Sequence, residues 1–212
     1  ALLITAAIFA ITACPTFLWL RERAQARPPI AGVSYLRAGF AQVRNTLRHA
    51  AQMPDLFRFL QCLTLFHAGV ATVVVVAAIY AQEVMGFDTQ ELIVLIMVVN
   101  VTAAIGAFSF GYAQDYFGSV RSLAVALLVW VAAIVVTLLA EVPGDLWLAG
   151  NLMGFAMGAT QAGGRALIGQ LTPESRNAEI FGLWGLANRA AAILGPISYG
   201  VISELSGGNY PL

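Results

Sequence analysis

The chain has 212 residues, 59% of them hydrophobic and 10% charged, with a mean hydropathy of +0.80. Soluble domains carry roughly 25% charged residues, so this composition excludes a disordered chain and argues against a water-soluble fold. Eleven Arg, no Lys and eleven acids sum to zero, and without a basic excess there is no footprint for nucleic acid.

Six apolar stretches are long enough for a bilayer-spanning helix, which takes about 20 residues. They are 2–20, 58–81, 92–112, 121–141, 146–168 and 178–203. Each is a continuous apolar run without the alternation of a barrel strand, and in lipid only helices and closed barrels satisfy the backbone. The expected fold is an all-α membrane protein with six transmembrane helices. Its parts are a transmembrane helix at 1–20, a cytoplasmic loop with an amphipathic helix at 21–56, and a transmembrane bundle at 57–212.

Arginine position orients the spans. Arg21, Arg23, Arg27, Arg37, Arg44, Arg48 and Arg58 lie between the first and second spans, Arg121 follows the third, and Arg165 and Arg176 flank the turn after the fifth. The alternate connections carry Glu83, Asp88, Glu91, Glu141, Asp145 and Glu204 and no Arg. The positive set faces the cytoplasm, so the expected protein is integral and multi-pass, in the bacterial inner membrane, with its bilayer as the first partner. The first apolar run lacks a charged flank and a cleavage pattern and reads as a span, not a signal peptide. Spans that begin and end outside are expected of a piece of a larger membrane protein.

Within 21–56, Arg27-Pro28-Pro29 is a linker that the prolines keep out of a helix. After Gly32, Leu36, Phe40, Val43 and Leu47 recur at helical spacing, while Arg37, Arg44 and Arg48 fall on another face. Two readings fit: a helix on the membrane surface with Arg at the headgroups, or a soluble linker helix. Asp55 after Pro54 is expected to cap the second span.

Gly150, Gly154 and Gly158 have the small-xxx-small spacing that lets membrane helices approach closely. Gly163-Gly164 is expected to interrupt the end of that helix, and Gly195-Pro196 to kink the last span. Cys14 and Cys62 read as buried core thiols, not a disulfide. No metal-ligand spacing, nucleophile elbow or phosphate loop is present, so no catalytic or metal site, no cofactor and no enzyme activity is expected.

The sharpest motif joins the third and fourth spans: Gly111-Tyr-Ala-Gln-Asp115-Tyr-Phe-Gly118-Ser-Val-Arg121. Asp115 either pairs with Arg121 or sits at the positive end of a neighbouring helix; a solvated turn with routine capping is the plainer reading. G-x-x-x-D-x-x-G-x-x-R resembles the signature loop of the major facilitator superfamily, a cytoplasmic latch of the outward-open state. Tyr116, Ser119 and Val120 replace the usual basic residues. A second stretch runs through Gly158-Ala-Thr-Gln161-Ala-Gly-Gly-Arg165, then Pro173-Glu-Ser-Arg176-Asn-Ala-Glu179-Ile-Phe181-Gly182-Leu and Leu194-Gly195-Pro196. It resembles the UMF1 or Atg22-like branch, whose members often carry an acid where Ala68 stands and a basic residue where Arg189 stands. The resemblance implies a major-facilitator C-terminal bundle lacking its last helix: 1–20 as span six, 21–54 as the central loop, and the rest as spans seven to eleven. The N-terminal bundle would be a missing partner.

Arg189 lies about half-way through the last span, where a charge costs about 2.5–3.5 kcal/mol on insertion scales, and is expected to face the bundle interior as a substrate or gate residue. Asn100 and Gln161 are interhelical hydrogen-bonding amides or substrate contacts. His67 is a packing residue or the carrier of a coupling proton. These four are the substrate-path candidates. Thr172-Pro173-Glu174 reads as an N-cap with proline at the first helical position. Asp115 is expected beside that helix start, joining Arg121, Arg165, Arg176 and Glu179 in a charge cluster which, with Gly111 and Gly118, forms a cytoplasmic gate. Trp130, Trp147 and Trp184 read as packing or interface aromatics.

The reading is therefore a secondary active transporter of a small-molecule substrate, working by alternating access. The resemblance implies amino acids, which fungal members of the branch export from the vacuole. A non-transporting membrane scaffold or sensor is the alternative, favoured by Ala68 and the depleted loop; a membrane enzyme ranks third.

Overall fold

In the computed structural model the described residues are 2–19 and 34–205. Arg21, Arg23, Arg27 and the prolines of the linker lie outside them. Two compact units divide the chain near Gly39. The first contains helix α1 (Leu2–Trp19), apolar throughout, with Pro15 inside it. Helix α2 (Tyr35–Ala51) leads into the second unit, which holds α3 (Pro54–Glu83), α4 (Thr89–Phe117), α5 (Ser119–Leu138), α6 (Pro143–Leu171) and α7 (Asn177–Leu205). Every described element is helical, and the fold is an all-α membrane bundle.

Each of the six expected spans is a helix, but the helices are not equivalent. By length and composition α3, α4, α5 and the segment 174–205 can cross a membrane, and α1 contributes a shorter apolar stretch, Ala6–Trp19. The expected fifth span, α6, is 29 residues long but less apolar. Position explains this. Helix α6 has twelve buried residues between Leu146 and Ile168 and packs most extensively on α4 and α5, so protein rather than lipid solvates much of it.

The connections are short and chemically distinct. Asp88 starts α4 with a capping box: its carboxylate accepts from the Glu91 N–H (2.7 Å), and Glu91 accepts from the Asp88 N–H (3.1 Å). Asp145 accepts from the backbone N–H groups of Glu141 and Val142 ahead of α6. Gly118, at φ +84°, makes the single-residue turn between α4 and α5, where a side chain would be strained. The caps expected at the other end differ. Met53 is the N-cap of α3 and Pro54 follows it, leaving Asp55 in the first turn, where it suits the helix dipole. Thr172 ends α6 rather than starting α7: its hydroxyl donates back to the Ile168 carbonyl (2.6 Å), and a 3-10 turn at Glu174–Arg176 intervenes.

Alternating helix direction puts the acidic connections at one end and the Arg-bearing ones at the other. At the acidic end Ala81, Phe87, Leu95 and Leu146 form one cluster, and the Tyr80 hydroxyl donates to the Ala140 carbonyl (3.3 Å). At the Arg-bearing end Leu56, Leu60, Leu63, Leu123, Ile168 and Ile180 form another. Trp130 is buried between them, against Ala133, Met153 and Ala156.

The small-residue stripe on α6 does what its spacing implies. A Cβ on Gly158 would collide with the Ala103 carbonyl of α4, and one on Gly154 with Thr102 and Val99. Gly163-Gly164 does not interrupt α6, which runs on to Leu171 with both glycines buried; Gly163 makes room for the Gln114 amide. Gly195-Pro196 likewise leaves α7 continuous, and Gly195 is a close-approach point against the Ala68 carbonyl of α3. Cys62 is exposed, as is Cys14; Phe59, Leu60 and Leu63 define the buried face of α3, and position 62 points away from it.

Gly158→Ala should lower the melting temperature of the purified protein, since inserting a methyl into a filled contact costs about 1–3 kcal/mol. Gly169→Ala, with nothing within 4 Å of the new Cβ, is the control and should melt like the parent.

Candidate functional site

A groove runs along α4 and α6, and its two parts differ in chemistry. Towards the acidic end it is an apolar cavity of about 250 Å³, walled by α3, α4 and α6 with Trp130 of α5, and with Leu95, Val99 and Met153 in its lining. Asn100 and Met157 line this cavity and also the next one, of about 320 Å³, which adds Gly158, Gln161 and Arg165. One amide on α4 and an amide and a guanidinium on α6 thus meet in one place. Helical register explains the α6 pair, because Gln161 and Arg165 are one turn apart on the same face. Gly158, one turn earlier, lets α4 come close enough to bring Asn100 to them.

Two of these three polar groups are positioned by a contact. The Asn100 side chain donates to the Ile96 carbonyl of its own helix (2.8 Å). The Arg165 guanidinium sits 5.6 Å from the centroid of the Trp184 ring, a cation–π contact that leaves its N–H edges available. Trp184 in turn packs edge-on against Phe181. This role for Trp184 was not legible in the sequence, since the pair spans two helices and no spacing rule connects them.

The remaining expected site residues are distributed elsewhere. His67 is half-buried on α3 with its ring 4.7 Å from that of Phe66. Arg189 is exposed on α7, as Asn100, Gln161 and Arg165 are on their own helices. The inward face of α7 is set by Ile180, Ala191 and Gly195, together with the buried polar atoms of Asn177, Trp184 and Asn188; Arg189 is turned off that line by one residue. Gly111, Asp115 and Arg121 are exposed, and Asp115 shares a shallow concavity with Gly111 and Tyr112.

The charge cluster expected at the Arg-bearing end is not closed by ion pairs. Among the described residues the single ion pair is Arg58–Asp55, at 3.7 Å and exposed on both sides, a geometry worth little in water. Hydrogen bonds with at most one charged partner are found at this end. Ser119 is buried and its hydroxyl donates to Gln170 of α6 (2.8 Å), so the serine that replaces a basic residue in the signature loop ties the α4–α5 turn to α6. Gln42 of α2 donates to the Glu179 carboxylate (3.0 Å). Short polar residues in a turn carry no sequence signal for such partners.

Comparison with known proteins decides the family. The model of the family described as "Vacuole effluxer Atg22 like" matches residues 1–211. The chain belongs to the Atg22-like family. It is 25% identical over 206 residues to the uncharacterized MFS-type transporter YxiO of Bacillus subtilis, covering 96% of this chain and 47% of that protein. It is 23% identical over 218 residues to autophagy-related protein 22 of Coccidioides immitis, covering 91% and 36%. A protein of the same name from Yarrowia lipolytica is 25% identical over 239 residues, covering 96% and 39%. The chain thus spans less than half the length of these curated relatives. No solved structure matches it.

Membership of this transporter family agrees with the bundle, the apolar helices and the groove. Replacing Ser119 by Ala should lower stability by about 1 kcal/mol, the usual cost of one lost hydrogen bond, because Gln170 loses its donor. A thermal melt of S119A beside the parent checks this.

Proposed function

We propose that the α4–α6 groove is this chain's share of the substrate path of a secondary active transporter, and that the substrate is a small amino-acid-like solute. The observation that carries the reading is the meeting of Asn100, Gln161 and Arg165 beside an apolar cavity. A guanidinium and two amides offer the donors a carboxylate needs. The apolar chamber is large enough for an aliphatic side chain. Arg165, exposed like Arg189 but lining this groove, is the leading cationic candidate. Arg189, exposed on α7, is assigned to the bundle that longer relatives carry in addition, and His67 to proton coupling.

Gly111, Asp115, Gly118, Arg121, Arg165, Arg176 and Glu179 belong, in this reading, to a cytoplasmic gate. Its closure would give the two-state element that alternating access requires. The bacterial inner membrane is the proposed location, with 21–56 cytoplasmic; the Arg-sided connections support the sidedness, and the Bacillus relative supports only a bacterial setting.

The test is amino-acid uptake into proteoliposomes by the full-length protein, with and without a proton gradient. Arg165→Gln should cut uptake at least about tenfold at equal insertion, since hydrogen bonds to charged groups are worth about 1.5–3 kcal/mol. Unchanged uptake would sink the assignment of Arg165. A parent protein that moves no amino acid under any gradient would favour the scaffold or sensor.

A further inference from the structure

Helix α2 presents three faces of different chemistry. Around one side lie Gln42, Thr46 and Ala50: Thr46 and Ala50 are buried, Ala50 within the Leu56–Ile180 cluster, and Gln42 is bonded to Glu179. Next to that side runs an apolar stripe that the bundle leaves uncovered, with Phe40 76%, Val43 44% and Leu47 46% exposed, and Leu36 extends it by helical spacing at 75%. Beyond the stripe, Arg37, Arg44 and Arg48 project from the far flank, all exposed.

We propose that this stripe is covered by the bilayer itself, with α2 lying in the interface and its three arginines bound to anionic lipid headgroups. Two observations select lipid over a protein occupant. The first is place: α2 is joined to the membrane-crossing α3 through Gln52 and Met53 alone, whose N–H groups bond to His49 and Ala50, so the stripe is held at the Arg-bearing end of the bundle. The second is charge: α2 carries Arg37, Arg44 and Arg48 and no acid. Although Asp55, Asp115, Glu174 and Glu179 share that end of the bundle with Arg58, Arg121, Arg165 and Arg176, with those of α2 the arginines there outnumber the acids. An apolar stripe flanked by Arg and held at a membrane boundary has the pattern of an interfacial helix. Each arginine near an anionic surface strengthens attachment by about fivefold. The contact of Thr46, Ala50 and Gln42 with the bundle sets the roll of the helix, so the stripe is aimed by packing rather than free to turn. Lipid charge would thereby act on α7 through Glu179. This inference does not rest on the transport reading.

The experiment places an environment-sensitive dye at Leu47→Cys, in a cysteine-free background of the full-length protein. The protein is reconstituted in nanodiscs of phosphatidylcholine alone or with one-quarter phosphatidylglycerol. The expected result is a blue shift and about threefold slower acrylamide quenching in the anionic discs. Quenching by lipid-borne nitroxide is expected at Leu47→Cys but not at Asn45→Cys on the outer face. The triple variant R37Q/R44Q/R48Q, which alters only exposed side chains, should abolish the difference between lipids while leaving the melting temperature unchanged. Protection that is equal in both lipids, or that survives the triple variant, would overturn the proposal. So would protection that appears in detergent and grows with protein concentration, which would identify a second copy as the cover.

Discussion

The bundle depends on how closely the backbones of α4 and α6 approach. In lipid there is little hydrophobic gain from pairing two apolar helices, so association rests on van der Waals contact and shape. Gly154 and Gly158 remove the side chains that would hold the helices apart, and Gly106 does the same from α4 against the Phe155 backbone. The approach has a functional consequence. It brings Asn100 across to Gln161 and Arg165, so the residues that permit packing also create the polar groove.

A second constraint acts at the Arg-bearing end. Several cations collect there, yet the close contacts are neutral or one-sided: Ser119 to Gln170, Gln42 to Glu179, and Arg165 over Trp184. Such contacts are individually modest and can be exchanged at low cost. Closed ion pairs would be harder to rearrange if buried, because separating them exposes a charge without a partner. The same end holds α2, whose Gln42 bonds to Glu179 of α7.

Much of the candidate site was legible in residue types and little of it in residue pairings. Asn100 and Gln161 stood out because amides in apolar spans are expensive, and the structure puts them together. Arg189 stood out for the same reason, and the structure puts it off the face of α7 that meets α3: depth in a span follows from counting residues, whereas the direction a side chain points depends on which helix faces meet. Arg165 was read only as part of an ionic gate, because its partner across the helix pair is an aromatic ring. Gly163-Gly164 looked like a break and is a packing surface, since a glycine pair spells either until the neighbouring helix is known.

The sequence by itself determined the solvent, the helical class, the six helical segments, the end at which arginines collect and the Atg22-like resemblance. These follow from composition, run length and periodicity, which are local properties of the chain. Only the tertiary structure decided that α6 is the central helix, that Gly195 is a contact, that Thr172 ends a helix, and that Asn100, Gln161 and Arg165 share a groove while Arg189 does not. The physical reason is common to all of these but Thr172, whose hydroxyl bonds four residues back along its own helix. Helix formation in a membrane is settled by each segment's own backbone, but which faces meet is settled by the fit between segments far apart in the chain.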